Sequence, residues 1–147
     1  MPEIDHKTYI KVPVEKVYKT ISTSQGWNAW FTDETSLVIN PDGTGDLRLR
    51  WTNFGSENQI IEDGGKVLEA IPNKRFVFQW SPGEQSSTVT FNFEPYKEGT
   101  LVILHETGYT NSERDLKACI DCATGWGEAL TLLKIYLEHG IVYKQDL

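Results

Sequence analysis

The segment Ser112-Glu-Arg-Asp-Leu-Lys-Ala-Cys119-Ile-Asp-Cys122-Ala-Thr-Gly-Trp126-Gly-Glu-Ala-Leu130-Thr-Leu-Leu133-Lys-Ile-Tyr-Leu137-Glu-His139 decides the fold. Leu116, Cys119, Ala123, Trp126, Leu130, Leu133 and Leu137 recur at steps of three and four, the apolar seam of an amphipathic helix. The opposite face carries Glu113, Lys117, Asp121, Glu128, Thr131, Lys134 and Glu138. Glu113/Lys117 and Lys134/Glu138 are spaced for i,i+4 pairing. Ser112 offers an N-cap with Asp115 three residues on, and Gly140 offers the stop. Upstream, apart from two short helical stretches, the chain reads as β. One long helix must lay its seam on that sheet, and the sheet must curve to receive it.

The β reading follows from a change of period. Lys7 to Val12 is a β-branched strand ended by Pro13, which opens a helix over Val14 to Ile21. Ser24 to Phe31 makes a second helical stretch, with Trp27, Trp30 and Phe31 on one side. From Thr35 the period is two: Leu37 and Ile39, then the turn Pro41-Asp-Gly43, then Leu47, Leu49 and Trp51. Asn53 to Asn58 reads as a loop. Gln59 to Ile71 reads as a strand interrupted at Gly64-Gly65, by a hairpin turn or a bulge. Arg75 to Trp80 follows, then Val89, Phe91 and Phe93 in alternation. Thr100 to Tyr109 is apolar on both faces and is expected at the centre of the sheet. The prediction is one α+β domain over residues 1–147: a strand, two short helices, about six antiparallel strands and a long helix.

The chain's 147 residues are the size of one domain, long enough to bury ~70% of the unfolded surface in one core. Its 21 acidic against 14 basic residues give a net charge of −7, which argues against a phosphate backbone or an anionic membrane as partner. The longest apolar run, Leu101 to Leu104, falls far short of the ~20 residues that span a bilayer. Met1 to Asp5 has neither a basic nor a hydrophobic export region, so a cytoplasmic location is expected.

Cofactor and catalytic motifs are sparse. Cys119 and Cys122 form a CxxC unit, but no second Cys pair or His cluster accompanies it, and it lies within the helical seam. Cys119 reads as a small core residue. His6, His105 and His139 are far apart, and no GxSxG, phosphate-binding glycine loop or dinucleotide fingerprint occurs. Neither a cofactor nor a metal is expected. Glu106, Glu69 and His105 are polar residues on otherwise apolar strands. A carboxylate buried there must be paired, and in a cleft it marks a functional candidate. The bland alternative is a surface position or an ion pair with a nearby Arg or Lys.

Taken in order, these pieces resemble the helix-grip fold of the START-like, birch-pollen-allergen (SRPBCC) superfamily. Within it the chain is most similar to the activator of heat-shock-protein-90 ATPase family. The resemblance rests on Val12-Pro-Val-Glu-Lys-Val-Tyr18, Trp27-Asn-Ala-Trp-Phe31, Gly65-Lys-Val-Leu-Glu-Ala-Ile-Pro72 and Arg75-Phe-Val-Phe-Gln-Trp80. It continues with Glu106-Thr-Gly-Tyr109 and Gly125-Trp126 followed by Leu130, Leu133 and Leu137. Cys122 stands where family members often carry a His, three residues before the Gly-Trp. Glu106 stands where some relatives place a His or another polar residue.

The resemblance implies a curved sheet of about six to seven strands around the C-terminal helix, with a cavity between them. It also implies a ligand such as a lipid, a sterol, a polyketide or another small apolar molecule. The residues nominated for that site are Trp27, Trp30, Trp51, Phe78, Trp80, Phe91, Glu106, Trp126 and Leu130, all of which read equally well as plain core. A non-enzymatic binding domain is the first expectation. A module acting on a chaperone ATPase, the family's namesake role, is the second. The eukaryotic namesake's extra chaperone-docking domain is not expected here. A cyclase, dehydratase or hydrolase using Glu106 or His105 as acid or base is the third.

Overall fold

The computed structural model describes residues 1–54 and 57–144, with the backbone alone at residues 53 and 54. The elements are β1 (Ile4–Ile10), α1 (Val14–Ile21), α2 (Ser24–Trp30), β2 (Ser36–Ile39), β3 (Gly45–Phe54), β4 (Gln59–Ile71), β5 (Arg75–Trp80), β6 (Ser87–Tyr96), β7 (Gly99–Thr107) and α3 (Glu113–His139). All strands pair antiparallel in one sheet, ordered β1-β7-β6-β5-β4-β3-β2. The predicted α+β class and element order hold.

Four local expectations change. β1 begins at Ile4 and ends at Ile10, because Ile4 to Ile10 pairs with Glu106 to Thr100 and the chain then turns at Val12. Pro13 sits at the N-cap of α1, one residue before the helix. β7 lies between β1 and β6, inside the sheet but next to an edge strand; the central strand is β5. The loop expected over Asn53–Asn58 begins later, since β3 runs to Phe54; Gly55 and Ser56 fall outside the described residues.

The glycine pair makes no hairpin turn, and its pairing with β3 is regular; the bulge-like irregularity of β4 falls just beyond it, between Val67 and Glu69 against β5. Gly64 and Gly65 pair with Arg48 and Leu47, and β4 runs straight through them. A Cβ at Gly64 would lie 2.0 Å from the Leu47 carbonyl oxygen, and one at Gly65 would lie 2.6 Å from that of Gln79. Backbones approach there more closely than a side chain permits, so glycine marks close packing in a bent region of the sheet. Register shifts fall nearby, between Val67 and Glu69 against β5, and between Trp51 and Phe54 against β4. Such irregularities bend strands and increase their twist.

Helix α3 closes the open side of the curve. Its start is capped as expected, with the Ser112 hydroxyl accepting from the Asp115 N–H at 3.1 Å. Its end is Gly140 in the left-handed conformation, φ 69°. The seam is shifted over the first turns: Leu116 and Ala123 are exposed, while Asp115 and Cys119 are buried and Cys122 is half-buried. Trp126, Leu130, Leu133 and Leu137 are buried as read. Lys134 pairs with Glu138 at 3.2 Å, but Lys117 pairs forward with Asp121 at 2.8 Å rather than back with Glu113. The C-terminal half of the helix is tied to the β1 end, where Glu138 accepts from the Lys11 N–H at 3.0 Å and Lys134 donates to the Tyr9 carbonyl.

Candidate functional site

Strand β7 brings Glu106 inside. Thr100, Val102, Leu104 and Glu106 face the core by strict alternation, and Glu106 has no exposed surface. Four neutral donors converge on its carboxylate. One oxygen accepts from Trp80 Nε1 at 2.7 Å, from Tyr109 Oη at 2.8 Å and from the Ser87 hydroxyl. The other accepts from Trp126 Nε1 at 2.9 Å. Each donor has a local reason to be there. Trp80 and Ser87 are paired residues at the facing ends of β5 and β6. Tyr109 is turned inward just after Gly108, whose φ is 115°. Trp126 comes down from the α3 seam. Indole N–H groups donate only, so each Glu106 oxygen accepts at least one hydrogen bond from a tryptophan. Among the described residues no Lys or Arg ion-pairs with it.

The thiols lie against this network. Burial, and then the Glu106 charge, push the Cys119 thiol up. Cys122 is pushed up to about 11, chiefly by burial; a hydrogen bond with Tyr109 works against the rise and the Glu106 charge adds to it. Tyr109 is raised far above its ordinary value by burial, the Cys122 contact and the Glu106 charge. Both cysteines are free, and at neutral pH both are thiols, unreactive as nucleophiles.

The nominated aromatics pack against one another through a run of ring contacts. Trp27 contacts Trp30 at 5.3 Å, Phe78 at 6.2 Å and Phe91 at 6.5 Å, and Phe91 meets Trp126 edge-on at 5.8 Å. Trp27, Trp30, Phe78, Phe91 and Leu130 are fully buried among these neighbours. Trp51 is also buried and donates to the Phe31 carbonyl at 3.1 Å.

Only Trp80 and Trp126 of the nominated set line the hollow between sheet and helix. This hollow holds about 200 Å³ and is bounded by Phe31, Trp80, Asp121, Cys122, Gly125 and Trp126. Trp80 and Trp126 meet at 5.4 Å and 47° along its wall. Glu106 lies behind them, at their N–H edges. Two further hollows are found among the described residues. One of about 350 Å³ adjoins at Asp121 and Cys122 and is lined also by Pro82, Arg114, Lys117 and Ala118. The other, of about 490 Å³, runs from Ile71 past Arg75 and Asn92 to Ile103.

Glu69 and His105 take the surface alternative. Glu69 is part-exposed and pairs with Arg75 at 3.7 Å, while His105 faces outward and meets Asp5 at 2.6 Å. Sequence reasoning passed over Phe31, Asp121, Cys122 and Gly125 as wall residues. No sequence signal separates Gly125 from Gly127: both are mid-helix glycines, and a Cβ at either would meet nothing within 4 Å.

Comparison with known proteins agrees with this architecture. The solution structure of the Aha1 dimer from Colwellia psychrerythraea is 27% identical, with a TM-score of 0.76, covering 95% of this chain and 98% of that one. Protein SSP2350 from Staphylococcus saprophyticus has 22% identity, a TM-score of 0.74, and coverage of 97% and 96%. DynU16, a protein of the dynemicin biosynthetic locus, has 17% identity and a TM-score of 0.76; the match covers 97% of this chain but 50% of DynU16. No curated protein matches. No helix among the described residues is long and apolar enough to cross a membrane. The family model described as Activator of Hsp90 ATPase homolog 1-like protein matches residues 11–138, and the chain belongs to that family.

Proposed function

We propose that this protein binds a small, largely apolar molecule at the hollow bounded by Phe31, Trp80, Gly125 and Trp126, and that it does so without chemistry. The observation that carries the reading is an aromatic hollow, between sheet and helix, placed against a buried carboxylate. Ligand pockets are apolar with a few fixed polar groups, and that is the composition here. Its volume of about 200 Å³ is below the ~300–1,000 Å³ usual for a whole ligand. The site therefore takes one end of a molecule, with the rest lying across the rim.

Glu106 serves as a fixed part of the wall. Its oxygens are committed to four protein donors, which supports a positioning role over proton transfer. DynU16, alike in fold, belongs to a biosynthetic locus, which is compatible with a small-molecule ligand. The test is native mass spectrometry of freshly purified protein against its denatured mass, repeated with Gly125→Leu. A bound small molecule in the parent, lost in the variant, is the expected result. A ligand held equally by both would place binding elsewhere.

Family membership favours a second reading, in which the chain acts on a chaperone ATPase. Adding purified protein in excess to a chaperone ATPase assay tests it directly. Unchanged turnover counts against this reading.

A further inference from the structure

Building on the small-molecule reading, we infer that the end of the ligand entering the hollow is cationic: a quaternary or protonated amine carried on an apolar body. The argument begins with what the wall can offer. Trp80 and Trp126 have spent their N–H groups on Glu106, at 2.7 and 2.9 Å. What remains for a ligand is ring, not hydrogen-bond donor. Phe31 adds a third ring. A hollow walled by three rings, with no free donor from its indoles, is poor at holding a carboxylate or phosphate and well suited to a cation held by aromatic quadrupoles.

The charges point the same way. Glu106 is a buried carboxylate with no cationic partner among the described residues, and it sits directly behind both indoles. Its negative charge reaches the hollow through a medium of low polarity, where it is weakly screened. An N–H bonded to an anion also leaves its indole ring more electron-rich, which strengthens the attraction for a cation. Asp121 is the one charged residue on the rim. Its charge is partly answered by Lys117 at 2.8 Å, but that pair is exposed and loosely held, and Lys117 and Arg114 line only the adjoining hollow. The site thus has a deep carboxylate, hydrogen-bonded but without a cationic partner among the described residues, behind an aromatic wall. The small volume fits a compact head group such as a trimethylammonium.

The test compares three water-soluble probes of one shape: choline, its neutral carbon isostere 3,3-dimethylbutan-1-ol, and the anion 3,3-dimethylbutanoate. Binding is read from the Trp80 and Trp126 indole N–H resonances of the unaltered ¹⁵N-labelled chain, assigned from Trp80→Phe and Trp126→Phe. Choline is expected to bind about tenfold or more tighter than the neutral isostere, and the anion not to bind measurably. In Glu106→Gln the preference for choline over the isostere should shrink severalfold; the probe comparison on the unaltered chain stands whether or not this variant folds. Equal binding of choline and the neutral isostere would overturn the cation inference while leaving the apolar pocket in place. Preference for the anion would overturn it as well. No shift of either indole with any probe would remove both the inference and the pocket reading beneath it.

Discussion

Gly125 and Gly127 allow stability and binding to be separated on one helical turn. Both lie within α3, and for both a built Cβ meets no atom within 4 Å. Alanine at either site therefore costs no clash and removes the backbone freedom that glycine brings to a helix interior, a gain of about 0.5–1 kcal/mol. For a chain of 147 residues that is a rise in melting temperature of about 1.5–3 °C. The two sites part at the hollow: Gly125 lines it and Gly127 does not. Leucine at 125 places a branched side chain in a space of about 200 Å³, whereas leucine at 127 leaves that space alone. The assays are thermal unfolding by circular dichroism and titration with 3,3-dimethylbutan-1-ol. Gly125→Leu should weaken the probe tenfold or more, and Gly127→Leu by less than twofold. Destabilisation by Gly125→Ala, or equal weakening by the two leucines, would refute the placement of the hollow.

The polar hub yields a separate set. Trp126→Phe removes one charge-assisted hydrogen bond and keeps most of the ring, so it should cost about 1.5–3 kcal/mol in urea unfolding; a neutral result would mean the Glu106 contact is not formed. Trp126→Ala removes the ring as well and should cost about 3–5 kcal/mol, with a loss under about 1 kcal/mol marking it as a dispensable wall. Glu106→Ala leaves four donors without an acceptor in the core and should be the most damaging single change, unfolding the protein or costing more than Trp126→Phe; a smaller loss would sink the hub. Because Cys122 titrates at about 11 in the fold and nearer 9 when unfolded, its contribution is complete below pH 9 and is lost as pH rises towards 11. Stability should fall across that window, less so in Cys122→Ala, and identical curves for the two proteins would contradict the assignment. Native Cys122 should also react with iodoacetamide at pH 8 at least tenfold more slowly than the urea-unfolded chain.

Much of the fold could be read in the sequence because its signals are periodic. The change from period two to steps of three and four at Ser112 fixed both the sheet and the helix, and Ser112 and Gly140 fixed the helix ends. The shifted helix seam has a clear cause: an apolar pattern does not reveal which polar residue the tertiary structure will bury. Asp115 displaced Leu116 from the seam because its carboxylate accepts from the Glu84 N–H at 2.8 Å and the Thr110 N–H at 2.7 Å, anchoring two loops under the helix start. The Glu84 and Thr110 contacts also hold that carboxyl below the usual range. Gly64-Gly65 misled for a separate reason. Glycine pairs mark turns in a linear pattern, yet here they mark close backbone contact.

The site was half legible for a physical reason. Glu106 stood out because a carboxylate on an alternating apolar strand must find partners, and it found four. Its partners were less legible, since Trp80, Ser87, Tyr109 and Trp126 come from three strand or loop ends and a helix, and only closure of the sheet brings them together. The large aromatics were chosen for size. Size is what fills a core, so Trp27, Trp30, Phe78 and Phe91 went to packing. Gly125, with no side chain to fill the space, is among the residues that border the hollow. Nothing in the structure accounts for Gly127. Trp126, by contrast, is buried and bonded to Glu106, so the core needs it whatever the hollow holds.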